Sequence, residues 1–311
     1  MPQIVTVGET MAAFTPGSTG FLRYVKNYEM RIAGAESNLA IGVSKLGHSA
    51  GWISCLGKDE FGEFVQNSIR AEGVDTSRVV FDPEYRTGIM FKQVRNASET
   101  SVFYYRENSA ASHMRPQLLD EGYLAQADVI HLTGITPVLG DSCRETVQAA
   151  MDLAVKHEKL ISFDPNIRRE LFADKSVNEV IEEVMDNISI FLPGMEELLM
   201  LTGKDTAEEA VREVFKRPRM EILVLKNGSK GSTVYTRTDV IHMGVYPVKQ
   251  ADATGAGDCF DGGFLAGLVK GRSIEEAARM GAAAGALNAA AFGPMEGDIS
   301  VKTVTDMIAA G

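Results

Sequence analysis

DATGAGDCFDGGF, residues 252–264, follows the strand-like run YPVKQ (246–250) and opens an apolar helix that continues through Leu265 and Leu268. Gly255 and Gly257 let consecutive backbone N–H groups converge on one point at the helix N-terminus, where the aligned peptide dipoles favour negative charge. The backbone of Gly255, Ala256 and Gly257 thereby forms an anion hole. Asp258 stands just inside it, placed to take a proton from a hydroxyl that attacks a bound phosphoryl group. A Gly-rich turn ending in an Asp helix cap has the same local pattern, so the surrounding chain has to decide.

Outward from this motif, apolar β-rich runs alternate with helical patterns. Strand candidates are IVTV (4–7), WISCL (52–56), VIHLTG (129–134), LISFDP (160–165), ISIFLP (188–193), EILVLK (221–226) and GSTVYT (231–236). Between them, 35–46, 60–71, 142–157, 177–185 and 207–215 repeat apolar residues at helical spacing, and the chain from Ala251 onward reads as helical. Such alternation predicts an α/β fold with a mainly parallel central sheet flanked by helices. Two stretches break the rhythm. Residues 13–33 and about 87–107 read as strands without intervening helices, the second as a hairpin across the turn NASE (96–99). They predict a small projecting β-sheet that serves as a lid on one domain spanning 1–311, a means of excluding water from a transfer reaction.

The chain has 311 residues, 45% hydrophobic and 23% charged, with a formal net charge of −11, which argues against nucleic-acid or membrane-surface partners. The opening MPQIVTVGET shows no charged stretch before an apolar one, and no run of about 18 apolar residues occurs, so a cytoplasmic protein is expected. Cys55, Cys143 and Cys259 are scattered and odd in number, which fits a reducing compartment. The five histidines form no paired metal spacing, and no G-x-S-x-G elbow supports acyl transfer. A nicotinamide-dependent oxidoreductase requires G-x-G-x-x-G after the first strand; ETMAAF follows IVTVG instead. The P-loop is absent as well, so any ATP is held otherwise.

Candidate ligand contacts lie elsewhere. Tyr104 and Arg106 are two apart in the hairpin and share one face, with Tyr105 opposite. Arg168 follows Asp164 and Asn166 at the end of a strand, the usual place for ligand contacts in open α/β sheets. A guanidinium grips a carboxylate through a planar fork that a neutral sugar does not require.

The motif at 252–258 resembles the second signature of the PfkB, ribokinase-like, carbohydrate kinases. AGAESNLAIGVSKLG (33–47) resembles the first, with WISCLGKDEFG (52–62) in the expected place. The resemblance implies a ribokinase-like fold over essentially the whole chain, Asp258 as catalytic base, and Gly34 and Asn38 in contact with sugar hydroxyls. It also implies ATP along LKNGSKGS (225–232), where Lys226, Gly228, Ser229 and Gly231 are the candidates, and Mg²⁺ with the nucleotide. Glu197 matches the Glu of the family's N-x-x-E motif and is the metal-linked candidate, but Gly194 replaces the Asn. Other members use a monovalent cation such as K⁺ near the loop matching Asp252–Thr254. AGAESN, YYRENSAAS, DPNIR and FLPG together are most similar to the branch that converts 2-keto-3-deoxygluconate to 2-keto-3-deoxy-6-phosphogluconate, with Gly34, Tyr104, Arg106 and Arg168 on the substrate. Fructose, ribose and 5-dehydro-2-deoxygluconate remain alternatives, as does, more remotely, a non-catalytic sugar-binding regulator on the same scaffold. An exposed β lid suits pairing of two chains, so a homodimer or higher homo-oligomer is expected.

Overall fold

The structure, a computed structural model, describes residues 1–96, 99–168, 171, 177–293 and 295–311. The chain begins with β1 (Ile4–Val7), β2 (Met11–Pro16) and β3 (Tyr28–Ala33), followed by α1 (Ala35–Lys45), β4 (Ala50–Gly57), α2 (Glu60–Ala71) and β5 (Val79–Asp82). The hairpin β6 (Ile89–Asn96) and β7 (Glu99–Tyr105) leads to β8 (Val129–Thr133), α3 (Asp141–Lys156) and β9 (Leu160–Asp164). After α4 (Val177–Met185) come β10 (Ile190–Phe191), α5 (Met195–Thr202), α6 (Ala207–Val214), β11 (Ile222–Lys226), β12 (Ser232–Thr236) and β13 (Val240–Met243). The chain closes with α7 (Ala256–Val269), α8 (Ile274–Ala289) and α9 (Val301–Ala310).

Nine strands form one sheet in the order β13-β12-β11-β10-β9-β8-β1-β4-β5, parallel except for β12 and β13. β1 lies inside it, pairing Ile4 with Ala50 of β4 on one side and with Val129 of β8 on the other. Its four residues are all buried, as expected where helices cover both faces of a parallel sheet. Alternation then assigns the side chains: Ile4 joins the apolar cluster around Trp52, Leu39 and Phe264, while Val5 and Val7 join the one around Phe163 and Phe191. From β1 the chain moves outward to β4 and β5, then returns at β8 and proceeds the other way through β9 to β11. Strand order therefore reverses at β1 and β8, and the carboxyl ends of the strands open a crevice there.

The expected small sheet is present, in the order β3-β2-β6-β7. It starts at Met11, two residues before the segment read from sequence, and a single 3₁₀ turn at Leu22–Tyr24 interrupts what was read as strand alone. In the hairpin Met90 pairs with Tyr104 and Lys92 with Val102, so these four share a face; Ala97 and Ser98 of the NASE turn lie outside the described residues. Two further readings need correction. YPVKQ carries no strand pairing: residues 244–250 run irregularly from the end of β13, where Pro247 has no N–H to give a ladder. ISIFLP keeps strand register only at Ile190 and Phe191, though Ser189, Leu192 and Pro193 still bond to the backbone of neighbouring strands.

Small residues bring α7 and α8 together. A Cβ on Gly267 would lie 2.7 Å from the Ala277 Cα and 2.8 Å from its Cβ, closer than packed carbons approach. We therefore expect Gly267→Val to destabilise the fold by about 1–3 kcal/mol through overpacking. A lower denaturant midpoint checks this; an unchanged midpoint would show that the two helices have room to spare.

Candidate active site

The strand ends and one helix N-terminus build the site. Gly255 caps α7 with φ +76°, the left-handed conformation in which glycine carries no Cβ penalty, and the turn it makes aims the first N–H groups of α7 into the crevice. Asp258 is the third residue of that helix and is half-buried, and its carboxylate accepts a hydrogen bond from Asn38 Nδ2 at 2.8 Å. Burial pushes its pKa up to about 6, against the lowering effect of the Asn38 amide; Asp164 raises it further, while Lys226 and Arg168 lower it. A carboxyl that ionises near neutrality suits a general base. Asn38, expected from sequence as a sugar contact, thus also holds the candidate base, and its own Oδ1 is buried with no partner among the described residues.

Lys226 closes β11 and points inward. Its ammonium donates to Asp164 Oδ2 at 3.0 Å and to Asp261 Oδ2 at 2.9 Å, joining β9, β11 and α7. Burial alone would lower its pKa, but the two carboxylates outweigh that and hold the proton more tightly than in free lysine. Asp164 also accepts the Asn166 N–H at 3.1 Å, with Asn166 at φ +40°. Glu197 pins both sides of the same opening, accepting the Ile167 N–H and the Gly194 N–H, each at 2.7 Å. This fixes the loop that carries Arg168. Burial and the neighbouring Asp164 charge raise the Glu197 pKa, while the two N–H bonds lower it.

On the small-sheet side Arg106 is paired with buried Glu9, which also accepts from Ser109, and its guanidinium carbon lies 5.7 Å from the Tyr104 ring centre. Tyr104 and Arg106 do share a face, as the two-residue spacing requires. One cavity of about 860 Å³ is lined by Gly34, Asn38, Tyr104, Arg106, Arg168, Glu197, Gly255, Gly257 and Asp258 together. A second cleft, of about 360 Å³, is lined by Lys226, Gly228, Ser229, Gly231, Ala256 and Gly257, by Val245–Val248 and by α8. The two share Lys226, Ala253 and Gly257, so they meet at the anion-hole loop.

Sequence reasoning missed Glu9, Glu36, Lys92 and Asp261. Glu9 is two residues past a strand at the reversal of strand order, and that position is a usable signal. Glu36 lies inside AGAESN and is held by the Thr133 and Thr136 hydroxyls at 2.8 and 2.7 Å; burial pushes its pKa up to about 7. Lys92 and Asp261 have partners 160 and 35 residues away, which no local pattern reveals.

The second cleft fits a nucleotide: Val245, Tyr246, Pro247 and Phe260 wall a slot that ends at the first N–H groups of α7. Among the described residues no set of three His, Cys, Asp or Glu side chains could hold a metal ion. At the place expected for a monovalent cation, Asp252 and Thr254 bind the Lys92 ammonium, at 2.7 and 3.2 Å.

Residues 1–300 match the family model described as pfkB family carbohydrate kinase. The chain is 34% identical over 296 residues to the 2-dehydro-3-deoxygluconokinase of Bacillus subtilis (strain 168), covering 94% of this chain and 91% of that protein. It is 32% identical over 295 residues to Fructokinase-1 of Oryza sativa subsp. japonica, covering 92% and 91%. A putative ribokinase II from E. coli, solved in complex with ATP and Mg²⁺, superposes over 100% of both chains with a TM-score of 0.94 at 26% identity. With its catalytic-loop pattern, its sheet order and these relatives in agreement, the chain belongs to the pfkB family of carbohydrate kinases.

Proposed function

We propose that this carbohydrate kinase transfers the γ-phosphoryl group of ATP to the 6-hydroxyl of 2-keto-3-deoxygluconate, giving 2-keto-3-deoxy-6-phosphogluconate and ADP. The observation that carries the acid-specific reading is that Arg106 and Arg168 line the same cavity as Asp258, one following the small sheet and one following β9. A neutral hexose requires no such pair, whereas a carboxylate is well matched by guanidinium donors.

In this reading Asp258 takes the proton of the 6-hydroxyl as that oxygen forms its bond to phosphorus and the bond to the β-phosphate oxygen breaks. The N–H groups at Gly255–Gly257 stabilise the charge on the transferring group. Mg²⁺, when bound, neutralises charge on the β and γ oxygens. Lys226 keeps α7 in place and presents positive charge where the two clefts meet. The small sheet covers the sugar as a lid, and the whole chain works as a single kinase domain.

Fructose is the second reading, favoured by one observation: Arg106 is already paired with Glu9, which leaves only part of its fork for a ligand. We further propose that two copies pair through the small sheet. Met30, Phe14, Phe91 and Phe103 form one cross-strand row on its far face, and Met30 and Phe103 are exposed. Sedimentation as a monomer at micromolar concentration would remove that proposal.

A coupled ADP-release assay with ATP and Mg²⁺ over 2-keto-3-deoxygluconate, gluconate, fructose and ribose tests the substrate. Preferred turnover of the keto-deoxy acid is expected, and preferred turnover of fructose would discard the acid-specific reading. Asp258→Asn should lower kcat by roughly 10²–10⁴-fold, the usual contribution of a positioned base. Arg168→Ala should raise KM for the acid roughly 10-fold to 100-fold, the scale of one hydrogen bond to a charged group, with KM for ATP unchanged. An unaltered KM for the acid removes Arg168 from the substrate site. Because the base must be ionised to act, kcat should fall as pH drops through about 6. Asn38→Leu removes the amide that favours the ionised form, so the acid limb of the profile should move to higher pH; a limb that stays put would dissociate the profile from Asp258.

A further inference from the structure

Lys92 lies on β6, on the same face as Met90 and Tyr104, and reaches across to the loop that precedes α7. Its ammonium donates to Asp252 Oδ2 at 2.7 Å and to Thr254 Oγ1 at 3.2 Å. Both side chains of the ion pair are largely shielded, with 16% and 17% of their surface exposed. The other oxygen of Asp252 accepts from the Thr254 N–H at 3.0 Å and from its hydroxyl at 2.7 Å. One carboxylate thus connects the small sheet directly to the backbone one residue before Gly255.

The loop is also held from behind. The N–H groups of Ala251 and Asp252 donate to the Ala289 carbonyl, and Asn288 Nδ2 donates to the Thr254 carbonyl at 3.0 Å. These tethers set its depth against α8. Lys92 sets its tilt toward the cavity, because its pull comes from the other side.

We propose that Lys92 is a positioning residue for phosphoryl transfer, whose ammonium couples the small sheet to the Asp252–Thr254 loop and so aligns the N–H groups of Gly255–Gly257. Tyr104 and Arg106 belong to the same sheet end and line the substrate cavity. Occupancy of the sugar pocket therefore reports to the transfer site through the rigid hairpin, and a sugar that seats the sheet also completes the anion hole. The proposal rests on the kinase reading above. It adds a role that the sugar and nucleotide contacts do not contain, since Lys92 acts through Asp252.

The effect is on rate rather than on sugar affinity. Misplacing catalytic groups by about 1 Å costs on the order of 100-fold, so Lys92→Met should lower kcat by about 10-fold to 100-fold while KM for the sugar changes less than about 2-fold. Because the missing group is a compact cation, added methylammonium should restore part of the rate to Lys92→Ala and leave the wild-type enzyme unaffected. Asp252→Asn should lower kcat similarly, and the Lys92→Met, Asp252→Asn double variant should be little worse than either single one. Thermal unfolding of each variant separates a folding defect from a kinetic one, and amine rescue reads the positioning role even where stability falls. Unchanged kcat in Lys92→Met, strictly additive losses, or absence of rescue would overturn the proposal. A wild-type enzyme that releases ADP with none of the sugars would overturn the kinase reading instead.

Discussion

The Lys226 ammonium lies between Asp164 at the end of β9 and Asp261 on α7, at 3.0 and 2.9 Å, and the rest of the site takes its position from that contact. Breaking a buried ion pair by removing one member costs about 3–5 kcal/mol, because a charge is left behind without a partner. Here the pair does more than add stability. Asp261 is one helical turn beyond Asp258, so fixing it fixes the rotation of α7 about its axis, and with it the direction in which Asp258 and the leading N–H groups point. Asp164 sits at the start of the loop that carries Asn166 and Arg168. The candidate base Asp258, the leading N–H groups of α7 and one candidate substrate arginine are thus referred to a single buried cation.

This arrangement also sets the electrostatics. The cavity contains Glu9, Glu36, Asp164, Glu197 and Asp258, against Arg106, Arg168 and Lys226. Carboxyls gathered out of water suppress one another's ionisation, and burial and Asp164 raise Asp258 while burial raises Glu36. A nucleotide triphosphate brought into such surroundings draws compensation from backbone N–H groups, since Lys226 is already engaged by two carboxylates.

Legibility in the sequence followed the range of the interaction. DATGAGD and the alternation of apolar runs are local, and the parallel sheet and the extra β-hairpin stand where those patterns put them, while the helix expected from Ala251 begins at Ala256. Where a segment's fate depended on its neighbours, the pattern misled. YPVKQ has strand-like composition but no pairing partner, and ISIFLP keeps strand register at two residues only. The ion pairs were invisible for the same reason. Lys226 reads as a nucleotide contact at a strand end, and only the folded chain shows it between Asp164 and Asp261. Asn38 reads as a sugar contact, and only the crossing of α1 over α7 shows its amide on Asp258.

On the acid-specific reading proposed above, Arg106 and Arg168 would supply charge selectivity in an acidic protein. With a formal net charge of −11, nothing about the whole chain attracts an anion. The discrimination has to be local and has to survive desolvation, and the two sites solve this differently. Arg106 is neutralised in advance by Glu9, stacked against Tyr104 and nearly buried, so its geometry is fixed and its remaining donors are directed, at the expense of net attraction. Arg168 stands on a loop fastened at Asp164 and at Glu197, so the backbone is held while the guanidinium stays available to a ligand. On that reading a carboxylate entering the cavity would meet the oriented fork of Arg106 and the charge of Arg168, which together favour a planar anion over a neutral hydroxyl.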